Sequence, residues 1–301
     1  MAATGRIQHN RVCIGVRSRI SIIGTLAGFA ILLIPDQSQD IILAAGEDWD
    51  ELVAYAVSDA GSDWRTWRVR RTASGEDLPD VIAWSKFSSS AWTADDAGFF
   101  YCRFPQPAAE HAYDAPNRDM QLCYHRLGND VADDPVVFST PHEPEWGFEP
   151  LVTDDGRLLV VSIWRGTDPT NRVWVADLAD DGAAASPRPL IDVDDARYDP
   201  IAAVDGTLYL STDADAPNGR VIAVRVADPT DRREVIPEGP DAIEHVRLVG
   251  GRLAVVTLHD AHHRLTIFET DGRHVADVAL PGIGTVADLS GRKDDADLYL
   301  T

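Results

Sequence analysis

Cysteine is scarce in this chain of 301 residues, which has only Cys13, Cys102 and Cys123. Three widely spaced cysteines exclude a disulfide framework and a CxxC zinc knuckle. Cys102 and Cys123 can pair only if they lie on neighbouring strands. Reduced thiols are the rule in the cytosol, so the sequence predicts a cytoplasmic protein.

Positive charge is also scarce, since 27 lysines and arginines stand against 49 acidic residues and give a net charge of −22. Nucleic acids and anionic membranes recruit Lys and Arg, so neither is expected as a partner. The balance is uneven along the chain. Four arginines against two aspartates give residues 1–45 a charge of +2, so the remainder carries −24.

No apolar run is long enough for an ordinary membrane span, which needs about 20 residues. The longest run, Ile20 to Pro35, has 16 residues and follows a basic start. This pattern is typical of a secretory signal or a short anchor, and in that case the protein would be exported. A segment foreign to the fold and a buried strand or helix are the other interpretations. We therefore treat residues 1–45 as an unassigned segment and residues 46–301 as the folded part.

Signatures of catalysis and of cofactor binding are missing. The chain has no G-x-S-x-G nucleophile elbow, no Walker A loop and no G-x-G-x-x-G turn, so no catalytic residue and no cofactor are predicted. A propeller that hydrolyses glycans would need acid pairs, and no turn has the S-x-D-x-G-x-x-W spacing of an Asp box.

One histidine cluster, His259-Asp260-Ala261-His262-His263, has metal-like spacing. On a strand, His259 and His263 would share one face and His262 the other, so one metal could bind all three only if a turn brought them together. A polar turn is the favoured interpretation, and no metal site is predicted.

Short β-type runs separated by turn dipeptides fill the chain after residue 46. The turn dipeptides are Asp155-Gly156, Asp205-Gly206, Gly250-Gly251 and Asp271-Gly272. They supply the positive φ angles of tight hairpins, and no run has sustained helical periodicity. Two further predictions concern polar stretches. Pro105 to Asn117 and the acidic doublets, including Asp133-Asp134, are expected to be solvated, and Leu78-Pro79-Asp80 is expected to lie in an acidic loop.

Aligning the runs after each turn reveals a repeat of about 40 to 60 residues, the length of a four-stranded propeller blade. The repeats begin near Glu47, Ser89, Glu149, Tyr198 and His245, with a sixth near Gly284. The sequence therefore predicts an all-β fold, an incomplete β-propeller of about five to six four-stranded blades.

Several short sequence motifs in the first two repeats have the order and spacing of motifs in a known family. They are Gly61-Ser62-Asp63-Trp64, Gly75-Glu76-Asp77-Leu78-Pro79-Asp80-Val81, Lys86-Phe87-Ser88, Ala91-Trp92-Thr93 and Phe99-Phe100-Tyr101. In these motifs the chain resembles the propeller domain of prolyl oligopeptidases, which are serine peptidases that cut short peptides after proline. Weaker similarity continues through Ile163 to Asp168 and reaches Asp295, so it covers roughly residues 46 to 301.

The resemblance implies a substrate-gating propeller whose partners are short proline-containing peptides and an α/β-hydrolase domain that carries the catalytic triad and is absent from this chain. It implies that this part has no peptidase activity alone. The resemblance also offers a further explanation of residues 1–45, namely an aberrant gene start after which translation enters the family's reading frame near Gly46. The alternative function is a non-catalytic propeller that binds a peptide or protein.

Four residues are candidates for contact with the substrate through the same resemblance. Phe87 corresponds to the family's phenylalanine that lines a pocket for a residue upstream of proline. The family's carbonyl-binding arginine has no direct counterpart, because Trp164 and Thr167 occupy the aligned positions and Arg165 lies one place on. Neighbouring strand residues face opposite ways, so Arg165 can substitute only if the turn is reshaped.

Overall fold

The computed structural model describes residues 52–58, 62–108 and 115–301, together with the backbone of two strands at 11–14 and 41–45. The signal-like run Ile20 to Pro35 lies outside the described residues. The chain divides into two compact units, one of residues 21–194 and one of residues 1–20 with 195–301. Among the described residues, no helix has the length and apolar character needed to cross a bilayer.

Strands make up nearly all of the described structure. In chain order they are β1 (Arg11–Ile14), β2 (Ile41–Ala45), β3 (Leu52–Ser58), β4 (Arg65–Arg71), β5 (Asp77–Ser85), β6 (Ser90–Trp92), β7 (Gly98–Arg103), β8 (Gln121–Arg126), β9 (Val136–Ser139), β10 (Trp146–Val152), β11 (Leu158–Arg165), β12 (Asn171–Asp177), β13 (Arg188–Ile191), β14 (Tyr198–Val204), β15 (Thr207–Thr212), β16 (Arg220–Arg225), β17 (Asp228–Ile236), β18 (Ala242–Val249), β19 (Arg252–His259), β20 (His262–Glu269), β21 (His274–Val278), β22 (Leu289–Ser290) and β23 (Asp297–Leu300). The helical part of the described residues is a single 3₁₀ turn, Val131–Asp133.

Five sheets are four-stranded antiparallel meanders in sequential order: β2–β5, β6–β9, β10–β13, β14–β17 and β18–β21. A sixth sheet has three strands, in which β1 pairs in parallel with β23 and β22 pairs antiparallel with β23. A four-stranded meander is the blade of a β-propeller. The predicted all-β class and the predicted blade repeat are therefore confirmed.

Two of the four turn dipeptides form two-residue hairpin turns as predicted, whereas Asp155-Gly156 and Asp271-Gly272 lie in longer connections in which the glycine alone has a positive φ. Asp205 and Gly206 both have left-handed φ angles of 48° and 71°, and Gly250 and Gly251 have 58° and 70°. These two-residue turns match the right-handed twist of the strands that they join. The local sequence therefore fixes the hairpins β14–β15 and β18–β19 independently of the rest of the fold.

Strand β7 shows how the sheets pack within the unit of residues 21–194. Phe99 and Tyr101 face a core cluster shared with the preceding sheet, while Phe100 and Cys102 face a second cluster shared with the following sheet. A sheet covered on both sides needs apolar residues on both faces, which explains the continuous run in β7. Cys123 joins the first cluster and Cys102 the second, so both thiols are free and buried.

The unit that contains residues 195–301 has two clusters of its own. Tyr209 and Val221 of the β14–β17 sheet pack with Leu253 of the β18–β21 sheet. Val256 on the other face of β19 packs with Leu298 of β23. Each sheet of this unit therefore buries apolar side chains against its sequence neighbour.

Two predictions about acidic residues were wrong. Asp80 belongs to strand β5 rather than to a loop, and Asp134 of an acidic doublet is buried rather than solvated. Both carboxylates bind one buried histidine: Nε2 of His125 lies 3.0 Å from Oδ1 of Asp80, and Nδ1 lies 3.0 Å from Oδ1 of Asp134. The phenol of Tyr101 donates to Asp134 at 2.9 Å, and the N–H of Gly128 donates to Asp80 at 2.6 Å. This polar cluster joins the first sheet to the second.

Burial acts to lower the pKa of His125, but the hydrogen bonds to Asp134 and Asp80 outweigh it. The pKa of His125 is therefore raised above its ordinary value, which favours an imidazolium between the two carboxylates.

Candidate functional site

A cavity of about 920 Å³ lies within the unit of residues 21–194. Its lining comes from the end of strand β11 and from the connections between strands: Phe87, Pro116, Asn117, Arg118, Glu145, Trp164, Arg165, Gly166, Thr167 and Asp168. All four substrate-contact candidates from the sequence, Phe87, Trp164, Arg165 and Thr167, are among them. A cavity of this volume is in the range of sites for small ligands and short peptides.

Phe87 follows the end of β5 in a left-handed conformation, with φ of 59°. Its ring is 39% exposed, which is unusual for a large apolar side chain in this protein. Two residues earlier, Ser85 is buried and fixed: its hydroxyl accepts from Nε1–H of Trp67 at 3.0 Å and donates to the carbonyl of Cys102 at 2.6 Å. The backbone that carries Phe87 is therefore anchored to both adjacent sheets.

Lys86, next to Phe87, is buried and occupies an aromatic cage. Its Nζ lies 3.8 Å from the ring centre of Trp64, 5.4 Å from that of Phe104 and 5.6 Å from that of Phe87. Burial lowers the pKa of Lys86, and the nearby charge of Asp63 acts in the opposite direction. Cation–π contacts to three rings hold the segment that presents Phe87.

Trp164 forms part of the cavity wall because the facing residue has no side chain. Its register partner in β10 is Gly147, and a Cβ atom at Gly147 would overlap the indole ring. The glycine therefore lets the Trp164 ring lie against the neighbouring strand.

Arg165 lines the same cavity as Trp164 although the two residues are adjacent. Arg165 is the last residue of β11, where its register partner is Trp146, and Gly166 begins the turn with a left-handed φ of 56°. The guanidinium of Arg165 donates from Nη2 and Nε to Oδ2 of Asp168, at 2.8 and 3.0 Å. Arg165 is therefore engaged in an ion pair with Asp168 within the turn.

Pro116, Asn117, Arg118 and Glu145 were not identified as site residues from the sequence. The first two are exposed, as expected for the loop that ends at Asn117, yet they also line the cavity. Their only sequence signal is a proline before a polar pair, which is typical of any turn. Tertiary structure alone brings them beside Phe87.

A second cavity, of about 280 Å³, lies in the unit that contains residues 195–301 and is lined by Asp199, Ser211 and His245 among others. These are the residue types of a serine-hydrolase triad, but Ser211 and His245 make no hydrogen bond with each other. A triad relay needs that bond.

The histidine cluster forms the end of the β19–β20 hairpin, with Asp260 and Ala261 as the two turn residues. The favoured interpretation, a polar turn, is confirmed, and the turn places His259 opposite His262 with ring centres 5.5 Å apart. His259 binds Asp241 at 2.8 Å, while buried His263 accepts from the N–H of Val286. Across residues 52–58, 62–108 and 115–301, no group of three or more His, Cys, Asp or Glu side chains could hold a metal ion.

The repeated four-stranded meanders define a β-propeller domain. Residues 44–301 match the family model described as the prolyl oligopeptidase N-terminal β-propeller domain. The chain belongs to the prolyl oligopeptidase family, as the sequence motifs predicted.

Similar proteins agree with this assignment. Prolyl oligopeptidase A of Amanita bisporigera is 30% identical over 269 residues, and prolyl endopeptidase of Elizabethkingia meningoseptica is 30% identical over 251 residues. Each alignment covers 82% of this chain and 35% of the relative, so the chain spans about a third of the length of these proteins.

Solved structures show the same fold. A chain from a study of two prolyl endopeptidases superimposes with a TM-score of 0.81 at 34% identity and covers 90% of this chain and 39% of its own length. Prolyl oligopeptidase B from Galerina marginata, bound to a 25mer macrocyclization substrate, has a TM-score of 0.81 at 26% identity, covering 89% and 39%.

Proposed function

We propose that this chain is the substrate-gating propeller part of a prolyl oligopeptidase-like serine endopeptidase, which acts on short proline-containing peptides. The observation that supports the proposal is the convergence of Phe87, Trp164, Arg165 and Thr167 on one cavity. These residues come from two segments about 80 positions apart, and the family resemblance points to both segments.

The cavity has the chemistry for a peptide side chain. Phe87 and Trp164 offer aromatic surface to an apolar group, and such rings contribute contact area at low entropic cost. The polar edge, with Thr167 and two arginines, supplies donors for main-chain carbonyls. A relative of the same fold is bound to a 25mer macrocyclization substrate.

Peptide-bond cleavage itself is assigned to an α/β-hydrolase partner domain. A propeller contributes selection by size, since a cavity of about 920 Å³ accepts a peptide segment and not a folded protein. The cytoplasmic location predicted from cysteine usage stays a prediction.

Hydrolysis and binding are tested separately. Purified chain incubated with a fluorogenic proline-containing peptide is expected to give no turnover, and turnover that survives a contaminant control would contradict the division of labour. The same peptide is expected to quench or shift tryptophan fluorescence through Trp164. Phe87→Ala should weaken this binding, whereas Ile283→Ala, at a residue 89% exposed in the other unit, should leave it unchanged.

A stoichiometric protein partner recovered with the chain, together with failure to bind the peptide, would instead favour the alternative of a non-catalytic propeller binding module.

A further inference from the structure

The cavity is lined by four charged side chains that are not equivalent. Arg165 and Asp168 are joined by two hydrogen bonds, so each compensates the charge of the other. The guanidinium of Arg118 and the carboxylate of Glu145 make no hydrogen bond or ion pair with any described residue. Arg118 is therefore the cavity's cation with all its N–H donors available for a ligand.

The backbone that carries Arg118 is anchored although its side chain is exposed. The N–H of Arg118 donates to the carbonyl of Pro116 at 3.0 Å, and the N–H of Asp119 donates to the carbonyl of Pro144 at 2.7 Å. The next residue, Met120, is buried, and its Sδ accepts from the N–H of Phe148 at 3.1 Å. The position of the arginine is thus fixed against the third sheet, while its head group stays free.

We propose that Arg118, and not Arg165, is the residue that donates hydrogen bonds to the peptide main chain in this cavity. This assignment rests on the proposed function, and it moves the contact from the segment Ile163 to Asp168, where the resemblance placed it, to the connection that precedes β8. Arg165 shares its Nε–H and one Nη–H with Asp168, so it has fewer free donors and a compensated charge. A charged donor with no competing protein acceptor forms the stronger ligand contact.

Glu145 defines what Arg118 binds. A free carboxylate ligand beside Arg118 would meet the uncompensated charge of Glu145 in the same cavity, and like charges disfavour binding. The four lining charges also sum to zero, although the whole chain carries −22. The ligand group at Arg118 is therefore a neutral carbonyl oxygen of a peptide segment rather than a terminal carboxylate.

The test uses the 301-residue chain and an uncharged probe, an N-acetylated and C-amidated pentapeptide with a central proline, titrated by calorimetry. Arg118→Met is expected to raise Kd about tenfold or more, because a charge-assisted hydrogen bond is lost. Arg118→Lys should fall between the wild type and Arg118→Met, because lysine keeps the charge but not the planar fork. Arg165→Met should raise Kd less than Arg118→Met does, because Asp168 already accepts two of the hydrogen bonds that Arg165 can donate. The matched control is Arg157→Met, at an exposed arginine of the same unit that does not line the cavity, and it should leave Kd unchanged.

The possible outcomes distinguish a failure of the proposed function from a failure of the assignment to Arg118. Wild-type chain that does not bind the probe overturns the proposed function and this assignment together. Binding that depends on Phe87 but is unaffected by Arg118→Met, or is weakened by Arg165→Met instead, overturns only the assignment to Arg118. The same peptide with a free carboxyl terminus should bind no more tightly than the amidated form, and tighter binding would overturn the choice of a neutral carbonyl. Equal melting temperatures verify that the exposed substitutions leave the fold intact.

Discussion

Replacing His125 by glutamine should destabilise the protein strongly, because His125 is the common partner of two buried carboxylates. The side chains of Asp80 and Asp134 are each 2% exposed, and the imidazole is fully buried. Glutamine keeps the polarity and roughly the size, but it supplies no positive charge. The substitution therefore leaves two buried anions without their shared cation.

The expected loss can be estimated from other buried ion pairs. Removing one partner of such a pair costs about 3–5 kcal/mol, because the remaining charge is buried without compensation. For a unit of this size, that corresponds to a melting temperature lower by roughly 10 °C. The two donors that remain, the phenol of Tyr101 and the N–H of Gly128, satisfy one lone pair on each carboxylate but do not neutralise it.

The pH dependence follows from the raised pKa of His125. A group whose folded pKa lies above its unfolded value stabilises the fold fully below the unfolded pKa, about 6.5 for histidine. That stabilisation is lost as the pH rises through the folded pKa. The difference in stability between wild type and His125→Gln should thus be largest near pH 6 and should shrink toward pH 9. Burial raises the pKa of Tyr101, and that of Cys123 to about 11, so neither titrates in this range.

Urea unfolding followed by tryptophan fluorescence at pH 6, 7.5 and 9 measures the effect. The matched control is His274→Gln, since His274 binds Asp277 at 3.2 Å on the surface and should change the stability little. A loss below about 1 kcal/mol at pH 6, or a loss that does not vary with pH, would refute the charged-histidine argument.

Three further predictions test the cavity walls. Gly147→Ala should displace the Trp164 ring, lower the unfolding free energy by about 1–3 kcal/mol and alter tryptophan fluorescence. Gly239→Ala is the control, because a Cβ atom there meets nothing within 4 Å, and it should have none of these effects. Phe87→Gly should weaken peptide binding. It should change the unfolding free energy by no more than about 1 kcal/mol, because glycine adopts the left-handed φ without strain. A large loss of stability would contradict this reasoning. Ser85→Ala should lower the free energy of unfolding in urea by about 1–3 kcal/mol, because it leaves the buried indole N–H of Trp67 and the buried carbonyl of Cys102 without their partner. An unchanged free energy would show that water replaces the hydroxyl.

The blades could be predicted because local rules specify them. Turns such as Asp205-Gly206 need left-handed angles that glycine supplies, and the strands on either side alternate or run continuously according to burial. The predicted repeat starts fall close to the first strand of each sheet, for example Ser89 beside β6 and Tyr198 at β14. Register and order within a meander then follow from chain connectivity.

The parts that escaped prediction depend on contacts between distant residues. His125 lies 45 positions from Asp80, and no local pattern distinguishes these side chains from solvated ones. Asp134 has the same sequence signature as any acidic doublet at a turn, yet it is buried. Phe87 was identified through family resemblance alone, whereas Arg118 and Glu145 lie in connections whose composition fits any exposed loop.

The structure separates the framework of the site from its contact surface. Hydrogen-bonded links such as Ser85 to Cys102 and Asp119 to Pro144 fix the ends of the connections, while Phe87 and Arg118 line the cavity beside those ends. A change at a link should therefore shift a cavity wall at a cost in folding stability, but a change at a projecting side chain should alter ligand preference at little cost. The cavity surface can thus vary at Phe87 and Arg118 without redesign of the blades, since both residues lie outside the strands.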